Sequence, residues 1–117
     1  MSKVLSDGYD LRNLEVEGQK LSATLFLPEN LVYFDGHFED MPILPGVVQI
    51  HWAIELAYEH LKIEGEFTGV DILKFKQIIS PGYLVEIEAV YDSIKGTLDF
   101  TYTSEQGNHS VGRVRFT

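Results

Sequence analysis

The sequence predicts an α+β protein in which a curled antiparallel sheet wraps around one long central helix. Three observations predict it. Only one segment, Val47 to about Lys62, has extended helical spacing. Its apolar positions (47, 48, 50, 52, 53, 54, 56, 57, 58 and 61) are too many for one face, so the helix needs cover on most sides. Most of the remaining chain alternates with period two between tight-turn signals, the pattern of hairpin-joined antiparallel strands. At 117 residues and 44% hydrophobic content, one domain over 1–117 with one core is expected.

The elements follow in order. Residues 1–8 read as a frayed end. Asp10 to Leu27 reads as a strand pair broken by Glu17-Gly18-Gln19, with Leu14 and Val16 on the first arm and Leu21, Ala23, Leu25 and Leu27 on the second. Pro28-Glu29-Asn30 ends it, and the apolar run Leu31 to Phe34 leads into a loop holding Gly36-His37. Pro45-Gly46 marks the helix start. The few polar residues on the helix are Gln49, His51, Glu55, Glu59 and Lys62; His51, Glu55 and Glu59 are four apart and share a stripe. After Gly65, Phe67 to Ile79 reads as a long strand, Ser80-Pro81-Gly82 as a turn, and Tyr83 to Tyr91 as an alternating strand. Asp92 to Gly96 turns into Thr97 to Thr103, rich in strand formers. Gln106-Gly107-Asn108 turns again, and Val111 to Thr117 closes the chain as an edge-like strand.

Composition removes several functions. A formal charge of −9, from 18 acidic and 9 basic residues, opposes nucleic-acid binding, which rests on neutralising phosphates. Without cysteine there is no disulfide and no thiolate chemistry. No apolar run reaches the ~20 residues a bilayer span needs. Met1 to Asp7 lacks the apolar centre of a signal peptide, so a soluble cytoplasmic protein is expected. Lys74, Lys76, Arg113 and Arg115 form either a local basic patch for a partner or ordinary solvated strand faces.

The chemistry concentrates between Gly36 and Glu55. His37, on a Gly-flanked loop, is a side chain that titrates near neutrality and so can exchange a proton; a polar surface histidine is the bland alternative. Pro45-Gly46-Val47-Val48 opens a helix, whose first N–H groups lack intrahelical partners and sit at the positive end of its dipole. They form either an ordinary junction or a site that stabilises a carbonyl gaining negative charge, with Gly46 permitting close approach. His51 is either a satisfied core or interface histidine or, held by Glu55 one turn on, a proton donor. His60 and His109 are expected at the surface. No metal-ligand spacing and no Gly-x-Ser-x-Gly elbow is present.

Gly36-His37-Phe38 followed by Pro42-Ile43-Leu44-Pro45-Gly46-Val47 resembles the signature of the FabZ/FabA 3-hydroxyacyl-[acyl-carrier-protein] dehydratases. A weaker echo is Phe75 with Ile79-Ser80-Pro81-Gly82-Tyr83-Leu84. The short form, without the family's usual N-terminal helical segment, is most similar to the ApeI-like dehydratases of aryl polyene pathways. The resemblance implies the hotdog fold, no cofactor, a homodimer or higher homo-oligomer, and a thioester substrate on acyl carrier protein or coenzyme A. It implies that His37 is the base, with Gly36 and Phe38 beside it as substrate-binding residues. Pro45, Gly46 and Val47 then lie at the carbonyl-binding turn, and position 51 protonates the departing hydroxyl from the other subunit. There the family carries Glu or Asp and this chain carries His51; Glu39 likewise replaces a proline of the motif. Three readings of position 51 follow: His51 is the acid, charged through Glu55; Glu55 has taken over the role; or only acyl-thioester binding remains. Trp52, Phe67 and Phe75 are either acyl-tunnel lining or core. Lys74, Lys76, Arg113 and Arg115 are the expected contacts for an acidic carrier. A thioesterase on the same fold, with Glu55 as its carboxylate, and a non-catalytic acyl-binding subunit are the alternative functions.

Overall fold

The computed structural model describes residues 8–29, 43–80 and 82–117. In chain order these form β1 (Asp10–Glu17), β2 (Lys20–Phe26), α1 (Gly46–His60), β3 (Phe67–Phe75), β4 (Leu84–Asp92), β5 (Thr97–Ser104) and β6 (Gly107–Phe116). The six strands make one antiparallel sheet in the order β1-β2-β4-β5-β6-β3. The expected run of two strands, helix and four strands is present.

Period-two alternation decides which face each strand buries. On β4, Val85, Ile87, Ala89 and Tyr91 are buried, while Glu86, Glu88 and Val90 face outward. Leu21, Ala23 and Leu25 of β2, Leu98, Phe100 and Tyr102 of β5, and Val114 and Phe116 of β6 complete the inner face. Helix α1 lies in this concavity and contributes Val48, Trp52, Ala53, Leu56 and Ala57. Gly112 stands opposite Phe100 in the ladder, and a Cβ there would run into the Phe100 ring, so the aromatic fills the room the glycine leaves. On β1 the ladder slips between Arg12 and Glu15, where Asn13 takes a left-handed φ of 51°, a conformation asparagine tolerates better than most residues.

Four features differ from the sequence reading. Helix α1 is buried on one broad face, not on most sides: Val47, His51, Glu55, Tyr58 and Glu59 are exposed, Val47 at 72%. Strand β3 ends at Phe75 and not at Ile79. The N–H groups of Lys76 and Gln77 both turn to the single carbonyl of His109 (2.9 and 3.3 Å), and that convergence cannot continue a ladder. Strand β6 is internal, because β3 pairs with its free side from the other end of the chain. The edges are therefore β1 and β3. His109 is buried, at 0% exposure, where a surface position was expected; His60 is half-buried.

Candidate active site

The start of α1 has little capping among the described residues. Pro45 occupies the N-cap with extended backbone (φ −60°, ψ 146°), gives no side-chain cap, and is followed by no acidic residue in the first turn. The carbonyl of Pro45 accepts from the N–H of Val48 (3.1 Å) and of Gln49 (3.3 Å). The N–H groups of Gly46 and Val47 have no hydrogen-bond partner among the described residues. Two adjacent donors at the positive end of a four-turn helix are a ready site for an oxygen that gains negative charge.

The first of these donors, Gly46, borders a cleft of about 330 Å³ between the helix start and the segment after β3. Ile43, Leu44, Gly46 and Gln49 form one lip; Phe75, Lys76, Gln77 and Ile78 form the other. The lips meet where the N–H of Leu44 donates to the carbonyl of Ile79 (2.9 Å). The Phe75 ring, half exposed, lies directly over Gly46, so the space a side chain at position 46 would need is taken by an aromatic. The glycine thus serves contact with Phe75 within the chain, and a ligand approaching the helix start meets that ring.

His51 and Glu55 form a contact of 3.1 Å from Nε2 to Oε2, with side chains 63% and 46% exposed. The predicted stripe of His51, Glu55 and Glu59 lies on the outward face of α1, away from the lips of the chain's own cleft. Beside that stripe stands Tyr9, edge-on to Trp52 at 4.8 Å between ring centroids. Burial first, then the negative charges of Glu55 and Glu59, push its phenol up to about 12. Gly36, His37 and Phe38 lie outside the described residues, as does Glu39.

The four basic residues differ in circumstance. Arg113 holds Asp99 with two hydrogen bonds (2.7 and 3.0 Å) and Arg115 pairs with Asp71, whose carboxyl is held below its usual range by that hydrogen bond. Lys74 and Lys76 are exposed and have no ion-pair partner among the described residues. Trp52 is core (3% exposed), whereas Phe67 and Phe75 are largely accessible.

Sequence reasoning passed over the polar groups that hold the site. Gln49, at 3% exposure, donates from Nε2 to the carbonyl of Leu44 (3.3 Å) and accepts from the hydroxyl of Ser110 (2.7 Å). The buried Tyr102 hydroxyl donates to the backbone carbonyl of Gln49 (2.7 Å), and burial keeps that phenol well above its ordinary pKa. The signal for Gln49 was available, since it shares the helical face of Val48, Trp52, Ala53 and Leu56. No such signal existed for His109 or Ser110, whose placement depends on strand register.

Among the described residues no group of three His, Cys, Asp or Glu side chains is placed to hold a metal ion, and no helix is long and apolar enough to cross a membrane. A six-stranded curled antiparallel sheet enclosing one helix defines the hotdog class. The match to known proteins narrows this class. The ApeI-like family, described as ApeI dehydratase, matches residues 13–113, and the chain belongs to it. The chain is 36% identical over 92 residues to the 3-hydroxyacyl-[acyl-carrier-protein] dehydratase FabZ of Thermoanaerobacter sp. (strain X514), covering 72% of this chain and 65% of that one. It thus spans a little under two thirds of that relative's length. Among solved structures it superposes on the dehydratase heterocomplex ApeI:P from Xenorhabdus doucetiae with TM-score 0.86 and 30% identity, over 92% of this chain and 96% of that chain. Thioesterase superfamily member 2 from Mus musculus, at TM-score 0.68 and 13% identity over 88% of this chain and 84% of that one, shares the fold alone.

Proposed function

We propose that the chain is a hydro-lyase that removes water from a (3R)-3-hydroxyacyl thioester, carried on acyl carrier protein, to give the trans-2-enoyl thioester. The observation that carries this reading is the helix start in a chain of the ApeI-like family: the N–H groups of Gly46 and Val47 have no partner among the described residues, and Gly46 lines a cleft. With the thioester oxygen on these donors, the carbon next to the carbonyl becomes acidic enough for a histidine base to take its proton. His37 is that base by position in the motif. The electron pair left on C2 forms the C2–C3 double bond as the C3–O bond breaks, and the leaving hydroxyl takes a proton from an acid to depart as water.

His51, in contact with Glu55, is the proposed acid. Its position on the outward face of α1 supports its supply to the cleft of a second subunit, not its own. The Xenorhabdus relative is a heterocomplex, so the second subunit here is either an identical chain or a different hotdog chain; size measurement of the purified protein separates the two. Lys74 and Lys76, next to the Phe75 lip, are the proposed contacts for an acidic carrier, in fatty acid or aryl polyene synthesis.

The test is hydration of a short enoyl-carrier thioester, followed as loss of enoyl absorbance, in the wild type and in His37→Ala. Loss of turnover in His37→Ala is expected. Equal rates in the two would remove His37 from the mechanism, and release of free thiol without hydration would identify a thioesterase.

A further inference from the structure

Consecutive residues of a strand point to opposite faces of the sheet. His109 and Ser110 break that rule: both are 0% exposed. The register explains it. Tyr102 pairs with Ser110 and Thr103 with Asn108, so His109 is an extra residue with no partner opposite it on β5. The bulge turns two successive side chains inward, and each reaches a different lip of the cleft.

Ser110 reaches the helix-side lip. Its hydroxyl donates to Gln49 Oε1 (2.7 Å), and Gln49 in turn holds the Leu44 carbonyl, one residue before Pro45. His109 reaches the opposite lip. Its ring Nδ1 lies 3.3 Å from the Gln77 carbonyl, and its backbone carbonyl accepts from both Lys76 and Gln77. A carbonyl only accepts, so Nδ1 carries the proton in that bond. Nε2 is then the acceptor for the Ser104 hydroxyl at 2.6 Å, and Ser104 Oγ is fixed by the N–H of Gln106 (3.0 Å).

We propose that the β6 bulge sets the width and alignment of the cleft, and that His109 and Ser110 are positioning residues for the acyl thioester bound there. The identity of that ligand rests on the dehydratase reading above. Both lips hang from two adjacent residues, so their separation is fixed by one short piece of backbone. Loosening either lip widens the cleft and lessens its contact with the thioester, so binding weakens while the Gly46 and Val47 donors, which belong to the helix backbone, stay in place.

The experiment compares the full chain with His109→Leu, His109→Asn and Ser110→Ala. Amide hydrogen exchange at Lys76 and Gln77 reads the lip directly, and KM and kcat for enoyl-thioester hydration read its consequence. His109→Leu should speed exchange at both amides on the order of 10-fold, the effect of losing a buried hydrogen bond. It should raise KM by roughly the same factor while kcat changes less. His109→Asn retains an N–H donor near the Gln77 carbonyl and should recover most of both losses. Ser110→Ala should raise KM without changing exchange at Lys76 and Gln77. Wild-type KM in all variants, or equal impairment in His109→Leu and His109→Asn, would overturn the proposal. If His109→Leu does not fold, the KM of Ser110→Ala decides. If the wild type hydrates no enoyl thioester, the dehydratase reading fails on its own. The clamp is then read from binding of a saturated acyl-pantetheine, where the same ranking of variants is expected and equal binding across them, or none to the wild type, overturns it.

Discussion

Replacing His51 with alanine separates a structural role from a chemical one, because the structure gives the two roles very different sizes. The Nε2 to Oε2 contact with Glu55 is 3.1 Å, but the side chains are 63% and 46% exposed. An exposed pair four residues apart on a helix contributes about 0.3–0.5 kcal/mol. Alanine also has the better helix propensity, which offsets part of that loss. The net stability change in His51→Ala should therefore stay within about 0.5 kcal/mol, a melting shift of roughly 2 °C for a chain of this size. If His51 donates the proton to the leaving hydroxyl, the rate falls by about 10²–10⁴-fold. Thermal melting and enoyl-thioester hydration on the same samples measure both, with Glu55→Gln as the companion variant. His51→Glu, which restores the residue type that the resembling family carries, should keep or raise turnover. Full hydration activity in His51→Ala, with Glu55→Gln inactive, would transfer the acid role to Glu55. Full activity in both variants would refute the argument that this stripe supplies the proton.

Two further outcomes test the packing beneath the site. Gly112→Ala places a Cβ into the Phe100 ring, and both are buried, so chemical denaturation should show a loss of about 1–3 kcal/mol; an unchanged midpoint would mean the sheet yields there. The raised phenols of Tyr9 (about 12 when folded against 10.0 unfolded) and Tyr102 make the folded state hold protons that the unfolded chain releases. Their contribution is present in full below pH 10 and is lost as pH rises from 10 through 12 for Tyr9, so stability should fall across that window, and Tyr9→Phe should flatten the fall.

Much of this fold was legible because its information is local. Alternation on β4, with Val85, Ile87, Ala89 and Tyr91 against Glu86 and Glu88, states both the strand and its inward face. The turns at Gly18 and Gly96 need positive φ (60° and 66°), and glycine supplies it. Strand order was not local. β3 is followed directly in sequence by β4, yet it pairs with β6, the last strand, and this makes β6 internal. The same non-local pairing decides the end of β3, since Lys76 and Gln77 leave the ladder for the His109 carbonyl. Helix α1 misled in a different way. Its apolar positions imply more cover than one sheet provides, and the structure leaves Val47 and Tyr58 exposed. An apolar residue at a helix surface is a weak signal alone, and Phe67, Val70, Ile72 and Phe75 of the β3 edge are exposed in the same way.

The site shows the same division between local and non-local information, and it explains why motif residues and supporting residues differ in legibility. The roles proposed for Pro45 and Gly46 belong to their own backbone, so a short motif is enough to point to them. Gln49, His109 and Ser110 act by holding another segment: Leu44 for Gln49, Gln77 for His109, and Gln49 for Ser110. Their chemistry is generic, and any buried amide, imidazole or hydroxyl with the right reach would serve. What makes them specific is a one-residue slip between β5 and β6, and no composition or spacing rule encodes that slip. The cleft therefore depends on two kinds of residue. The donors at the helix start need their own sequence, and the groups that set the distance to those donors need only their register. Substitutions in the second kind should consequently change how tightly a thioester is held before they change what is done to it.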